Sequence, residues 1–124
     1  MSWIGAARRL AIYMRDDFTC QFCEKSLLKA DPRHITLDHL VPRSKGGTNR
    51  SDNLVTACLS CNSSKQARSW RKFAKDDETI ARILRVKRRV LNMKLARSIV
   101  RRARAQAKKK PVGRNARSTP SIAR

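Results

Sequence analysis

The four cysteines of this chain stand as two Cys-x-x-Cys pairs, Cys20/Cys23 and Cys58/Cys61. Each pair is half of a tetrahedral thiolate site, and the two together complete one. Such a site has no open ligand position, so its metal, expected to be Zn²⁺, is structural and takes no part in a reaction. Two disulfides are the alternative pairing, which a reducing compartment disfavours. A different chemistry lies between the pairs. Leu37-Asp38-His39-Leu40-Val41-Pro42 sets a carboxylate beside an imidazole, and Gly46-Gly47 and Asp52-Asn53-Leu54 follow. Asn62 comes directly after the last cysteine, with Lys65 three residues on. Phosphodiester hydrolysis needs a deprotonated water, a neutralised phosphate and a stabilised leaving oxygen. Of these residues His39 is the candidate base, because imidazole exchanges protons near neutral pH. Taken singly, the signals are weak. An Asp-His dipeptide can be an ordinary surface pair, Asn53 a turn residue, and His34 reads as a loop or strand-edge residue without a role.

The elements that must position these groups follow from local pattern. Ile4, Ala7, Leu10, Ala11 and Met14 recur at helical spacing, which predicts a helix over residues 4–16. Residues 35–41 are β-branched and apolar, hence a strand, and Pro42 ends its regular pairing. Residues 43–52 are dense in turn formers. A second strand is expected over residues 53–57, then a helix from Cys61 to about Ser69 with Ser60 as its cap. Adjacent strand residues face opposite ways, so Asp38 and His39 could serve one site only through a bulge or distortion.

Asp76-Asp77-Glu78 opens a further helical run, read as one helix from Thr79 to about Ala107. Ile80, Ile83, Leu84, Val90, Leu91 and Leu95 fall on one face of it, with Arg82, Arg85 and Arg89 opposite. That stripe has two readings, packing on the core or pairing with a second copy. Lys87 and Lys94 interrupt it where a dimer seam would want apolar residues, so a monomer is favoured over a homodimer. The expected organisation is a domain over residues 1–75, a basic amphipathic helix over 76–107, and a disordered basic tail over 108–124.

At 124 residues, with 5% aromatic content, the chain has room for one small domain that needs a staple. Its net charge of +21 implies a polyanionic partner, most often nucleic acid. Residues 1–70 carry 11 Lys and Arg against 6 Asp and Glu, whereas residues 71–124 carry 19 against 3. No apolar run is long enough to span a bilayer, and Arg8 and Arg9 follow the short N-terminal apolar stretch, an order that does not suit a secretory signal. The expected location is the cytoplasm.

In their order, Asp-His-x-x-Pro, Gly-Gly, Asn-Leu and Cys-x-x-Cys-Asn-x-x-Lys between two knuckles resemble the HNH endonucleases, over about residues 8–70. The resemblance implies an α+β fold, a treble-clef-like ββα-metal domain. It also implies roles: Asp38 on a catalytic divalent ion, His39 activating water, and Asn53 holding the loop and orienting the histidine. Asn62 stands where many members have a second metal-ligating histidine. As an amide variant it is expected to favour Mg²⁺ or Mn²⁺ over softer ions. Lys65, one helical turn on, is expected on the same phosphate. Arg43, Lys45 and Arg68 flank the site as DNA contacts, and Arg82, Arg85 and Arg89 extend them. By analogy, a small stand-alone nuclease with a basic tail suits a phage or mobile element. The alternative function is a zinc-dependent DNA-binding module without catalysis. It would need the knuckles and the cations but not Asp38, His39 and Asn53 together.

Overall fold

The computed structural model describes residues 3–109. Helix α1 (Ala6–Arg15) leads into the first knuckle, and strand β1 (Ile35–His39) pairs antiparallel with β2 (Leu54–Cys58). Helix α2 (Leu59–Lys65), the short α3 (Trp70–Phe73), α4 (Asp77–Val86) and α5 (Met93–Lys109) follow. Strand, loop, strand and helix form the expected ββα unit of a small α+β domain.

A two-stranded ribbon is marginal in water unless its faces are covered. Here both are. Period-two alternation sends Leu54 to one side and Val55 to the other. Val55 and Ala57 meet Cys20, Phe22, Leu27, Leu40, Trp70 and Ile83 in one buried cluster. Leu54 and Leu37 meet Ile12 and Tyr13 from α1, and Ile4 just before it, in a second. The register is continuous: Asp38 faces Val55 and His39 faces Leu54. β1 therefore reaches its end without the bulge expected at Asp38-His39: the two side chains leave opposite faces of the ribbon, and they can address one site only around the strand end at His39.

Three sequence expectations change. The first concerns the α2 cap, which is Cys58, not Ser60. Cys58 Sγ accepts from Cys61 N at 3.3 Å, so the knuckle thiol also serves as the helix cap. That helix ends at Lys65, where Gln66 takes a positive φ of 50°. The second concerns the run over 79–107, which is two helices and not one. α4 tightens at its end, with Arg88 N on Arg85 O and Arg89 N on Val86 O. α5 restarts from Asn92, whose Oδ1 accepts from Leu95 N at 3.1 Å. The break changes the stripe. Ile83 is buried in the first cluster and Leu91 packs on the second, but Val90 is 93% exposed. The third concerns the partition of the chain. α4 shares a core with the knuckles and α5 packs along α1, so neither stands apart from the preceding residues. The helix continues through Lys109, and the rest of the expected 108–124 tail lies outside the described residues. Among the described residues, no helix is long and apolar enough to cross a membrane.

One buried side chain joins three segments. Arg15 donates to both carboxylate oxygens of Asp16, to Ser51 O at 2.9 Å and to Leu54 O at 2.6 Å, and it reaches Lys87 O at 3.5 Å. Asp16 in turn accepts from Thr56 N at 2.8 Å. The side chains of the pair are 1% and 0% exposed, so neither charge has water as an alternative partner. Removing one partner of a buried pair costs about 3–5 kcal/mol. Arg15→Met should lower stability by about that amount in urea unfolding. A loss below about 1 kcal/mol would show that the pair does not hold these segments.

Candidate active site

Four thiols gather where the first knuckle meets the end of β2. All four sulfurs lie within 4.8 Å of one another, and Cys23 Sγ is 3.9 Å from Cys58 Sγ. Ligands about 2.3 Å from a tetrahedral Zn²⁺ would stand at comparable separations. Burial pushes the Cys20 and Cys61 thiols above their ordinary value. At Cys58 burial pushes the same way, but hydrogen bonds from Cys61 and the neighbouring thiols bring it below its ordinary value. Four crowded thiols cannot all ionise unaided, and a divalent cation removes that conflict. The donor set thus fits a closed, structural metal site.

The second constellation sits at the far end of β1. His39 Nε2 is 2.8 Å from Asn49 Oδ1. An amide oxygen only accepts, so Nε2 is the donor, and in the neutral ring the lone pair then sits on Nδ1. The ring face lies against the indole of Trp3, centroids 4.9 Å apart, and Arg9 sits over that indole at 5.6 Å.

Asn53 holds the loop between the strands. Its Oδ1 accepts from Val41 N at 2.9 Å, and its Nδ2 donates to Thr48 O at 2.8 Å and Val41 O at 3.1 Å. Asn53 does not touch the imidazole. Asn49 does, from the loop that Asn53 fixes. The two loop glycines have separate reasons. Gly46 adopts φ +89°, and a Cβ on Gly47 would lie 1.7 Å from Val41 O.

Asp38 points to the α2 side of the ribbon and is buried. Burial pushes its carboxyl above the ordinary value, while the Lys65 ammonium pulls the other way. Lys65 Nζ lies 3.2 Å from Asp38 Oδ2 and 3.1 Å from His39 O. That approach to Oδ2 is close enough for charge attraction but is not aligned as a hydrogen bond, and Oδ2 is left without one. An under-bonded buried carboxylate oxygen suits a cation. Asn62, on the same side, donates its Nδ2 to Thr36 Oγ1 at 2.9 Å and Leu37 O at 3.2 Å. Its amide oxygen is therefore not used in holding the side chain to β1.

The expected cations divide. Lys65 is fully buried as the counter-ion of Asp38, so it presents no surface to a phosphate. Arg82 donates to Gln21 O and pairs with Glu24 at 3.5 Å, bracing the first knuckle. Arg68 donates to Ser64 O and to Lys65 O at 3.3 Å, closing the end of α2. Arg43, Lys45, Arg85 and Arg89 remain exposed. His34 is exposed in the Pro32–His34 turn, away from His39. Sequence reasoning missed Trp3, Arg8 and Asn49. Arg8 Nη1 donates to Asn49 O at 2.7 Å and Ser51 Oγ at 3.3 Å. No local pattern marks these partners, because Trp3 and Arg8 lie 36 and 41 residues from the groups they meet and Asn49 sits in a loop rich in similar residues.

Residues 20–78 match the family model of the HNH endonucleases. The match takes in both knuckles, Asp38, His39, Asn53 and Asn62, and it agrees with the resemblance drawn from the motifs. A search of curated proteins finds no match to the chain.

The thiol cluster joins the first knuckle to the end of β2 across a core of modest size, so metal binding and folding should be coupled. Cys58→Ser removes a thiolate from the cluster while its hydroxyl can still cap α2, so the loss it causes reads on the metal site. It should abolish cooperative melting, whereas the wild-type chain should carry one zinc by elemental analysis. Cooperative melting retained in a zinc-free sample would refute the staple.

Proposed function

We propose that this protein is a metal-dependent endonuclease that hydrolyses DNA phosphodiester bonds. The observation that supports it best is the state of His39. Its Nε2 is committed to Asn49, its face is backed by Trp3, and its lone pair is left on Nδ1. A fixed neutral imidazole with one free nitrogen is what a general base requires. In this reading Nδ1 takes the proton of the attacking water. Asn53 acts as a positioning residue, by pinning the loop from which Asn49 reaches the ring.

Asp38 and Asn62 would hold a hard divalent ion, Mg²⁺ or Mn²⁺, through a carboxylate and an amide oxygen. When bound, such an ion supplies charge neutralisation for the phosphate and the leaving oxygen. Lys65 then has a definite task. Its ammonium opposes the burial that pushes the Asp38 carboxyl up, and it holds the side chain in place. DNA as substrate follows from the family match and the charge of +21. A phage or mobile-element setting suits so small and basic a chain.

The same Lys65–Asp38 pair favours a second reading. A carboxylate already neutralised from within would suit a DNA-binding module that kept the scaffold without the catalysis. Plasmid nicking in Mg²⁺ or Mn²⁺ separates the two. Under the nuclease reading His39→Ala should lose about 10²–10⁴-fold in rate with its zinc content and melting unchanged. A variant cutting at the wild-type rate would remove His39 from the mechanism.

Asn62→His replaces an amide oxygen by a softer imidazole nitrogen. It should lose Mg²⁺-supported cleavage and gain cleavage with Ni²⁺ or Zn²⁺. An unchanged metal profile would mean that Asn62 is not a ligand.

A further inference from the structure

The break between α4 and α5 puts a cluster of cations beside the candidate site. A single helix through 79–107 would carry Lys87, Arg88 and Arg89 away along its axis. Instead α4 stops at Val86, Leu91 turns into the α1-side core, and the linker runs back past the loop that carries Asn49. Between linker and loop lies an open cleft of about 810 Å³. Its cations are Lys87, Arg88 and Arg89 from the linker, Arg50 from the loop and Arg8 from α1. Its one acid, Asp52, is already paired with Arg50 at 3.4 Å. Among the described residues no carboxylate pairs with Lys87, Arg88 or Arg89.

The walls are tied together from beneath. Buried Arg15 holds Ser51 O on one wall and reaches Lys87 O on the other. Arg8 fixes Asn49 O from the side. Asn49 both lines the cleft and bonds His39, so one side chain separates the cleft from the imidazole. A cluster of unpaired cations on a held frame suits a polyanionic strand better than a small apolar ligand.

We infer that the Lys87–Arg89 linker, with Arg8 and Arg50, forms a phosphate-binding cleft that takes the DNA backbone close to the phosphate being cut. The inference rests on the nuclease reading and locates its substrate. Successive phosphates on one strand lie about 3.4 Å apart along the helix axis. A strand seated on His39 and running past Asn49 places a neighbouring phosphate in this cleft. The linker and Arg8 lie outside the residues matched to the HNH family, whereas the loop wall with Asn49 and Arg50 lies inside them, so the cleft forms where this chain's flanking segments meet the matched domain.

The test compares full-length Arg88→Gln/Arg89→Gln with wild type and with Lys29→Gln/Arg33→Gln, a control of equal charge loss next to the opposite end of β1. All three carry His39→Ala, so that binding to a short duplex is read without cleavage. Each phosphate contact contributes about 0.9 to the slope of log affinity against log salt. The cleft variant should lose about 1.8 from that slope and the control almost nothing. Between 50 and 200 mM salt this narrows the affinity loss by about tenfold. Equal slopes in the cleft variant and wild type, or an equal drop in the control, would overturn the inference. With His39 restored, duplexes carrying one methylphosphonate should show where the contact falls. Wild type should weaken at a phosphate neighbouring the cut, and the cleft variant should be insensitive there. Sensitivity that persists in the variant would also overturn it. A chain that binds through the cleft and never cuts would sink the nuclease reading while leaving the cleft. A chain that cuts with an unaltered salt slope would do the reverse.

Discussion

The candidate site hangs from the end of a two-stranded ribbon too short to stand alone. Five residues on each strand cannot fix an imidazole to within the tolerance that proton transfer requires. Everything around the ribbon compensates. The thiol cluster anchors the start of α2 against the first knuckle. Two apolar clusters clamp the faces. Asn53 makes three hydrogen bonds that turn the connecting loop into a rigid bracket. His39 is then held by a loop residue and an N-terminal indole and not by the sheet itself.

The buried charges extend the same logic. Arg15 and Lys65 are among the most expensive residues to bury, yet both are nearly free of solvent. Each satisfies backbone carbonyls as well as an acid. Arg15 serves Ser51, Leu54 and Asp16, and Lys65 serves His39 and Asp38. An apolar residue could fill either space but could not bind those carbonyls. The charges are therefore better understood as fixing the path of the chain at the ends of β1 and β2 than as adding net stability.

Much of this was legible in the sequence because the signals are local. Cys-x-x-Cys spacing, a β-branched run ended by proline, and Asn53 before the second apolar run each report on neighbours within a few residues. What was not legible depends on contacts across the chain. Lys65 reads as a surface lysine one turn from Asn62, and only the packing of α2 on β1 reveals it as a buried counter-ion. Arg82 reads as part of a charged stripe until the first knuckle comes within its reach. The long helix was misread for a different reason. Its apolar period runs on through Val90, and the restart at Asn92 is marked only by a side-chain cap. An asparagine three residues before Leu95 carries that signal, but the continuing period outweighs it.

The family match and the flanking segments divide the labour. The groups able to do chemistry, Asp38, His39, Asn53 and Asn62, all lie within residues 20–78. The groups that reach His39 and its loop from outside, Trp3 and Arg8, lie before that segment, and Lys87–Arg89, across the cleft from the loop, lie after it. Helix α5 packs along α1, and α1 carries Arg8 and Arg15, so the two ends of the described chain are joined on the side of the ribbon that bears His39. A loop so placed cannot shift without moving Asn49, and Asn49 cannot move without freeing the imidazole. The setting of His39 thus depends on residues outside the matched segment as well as on the loop within it. Chains with the same knuckles and the same Asp-His pair but other flanks would hold that histidine differently.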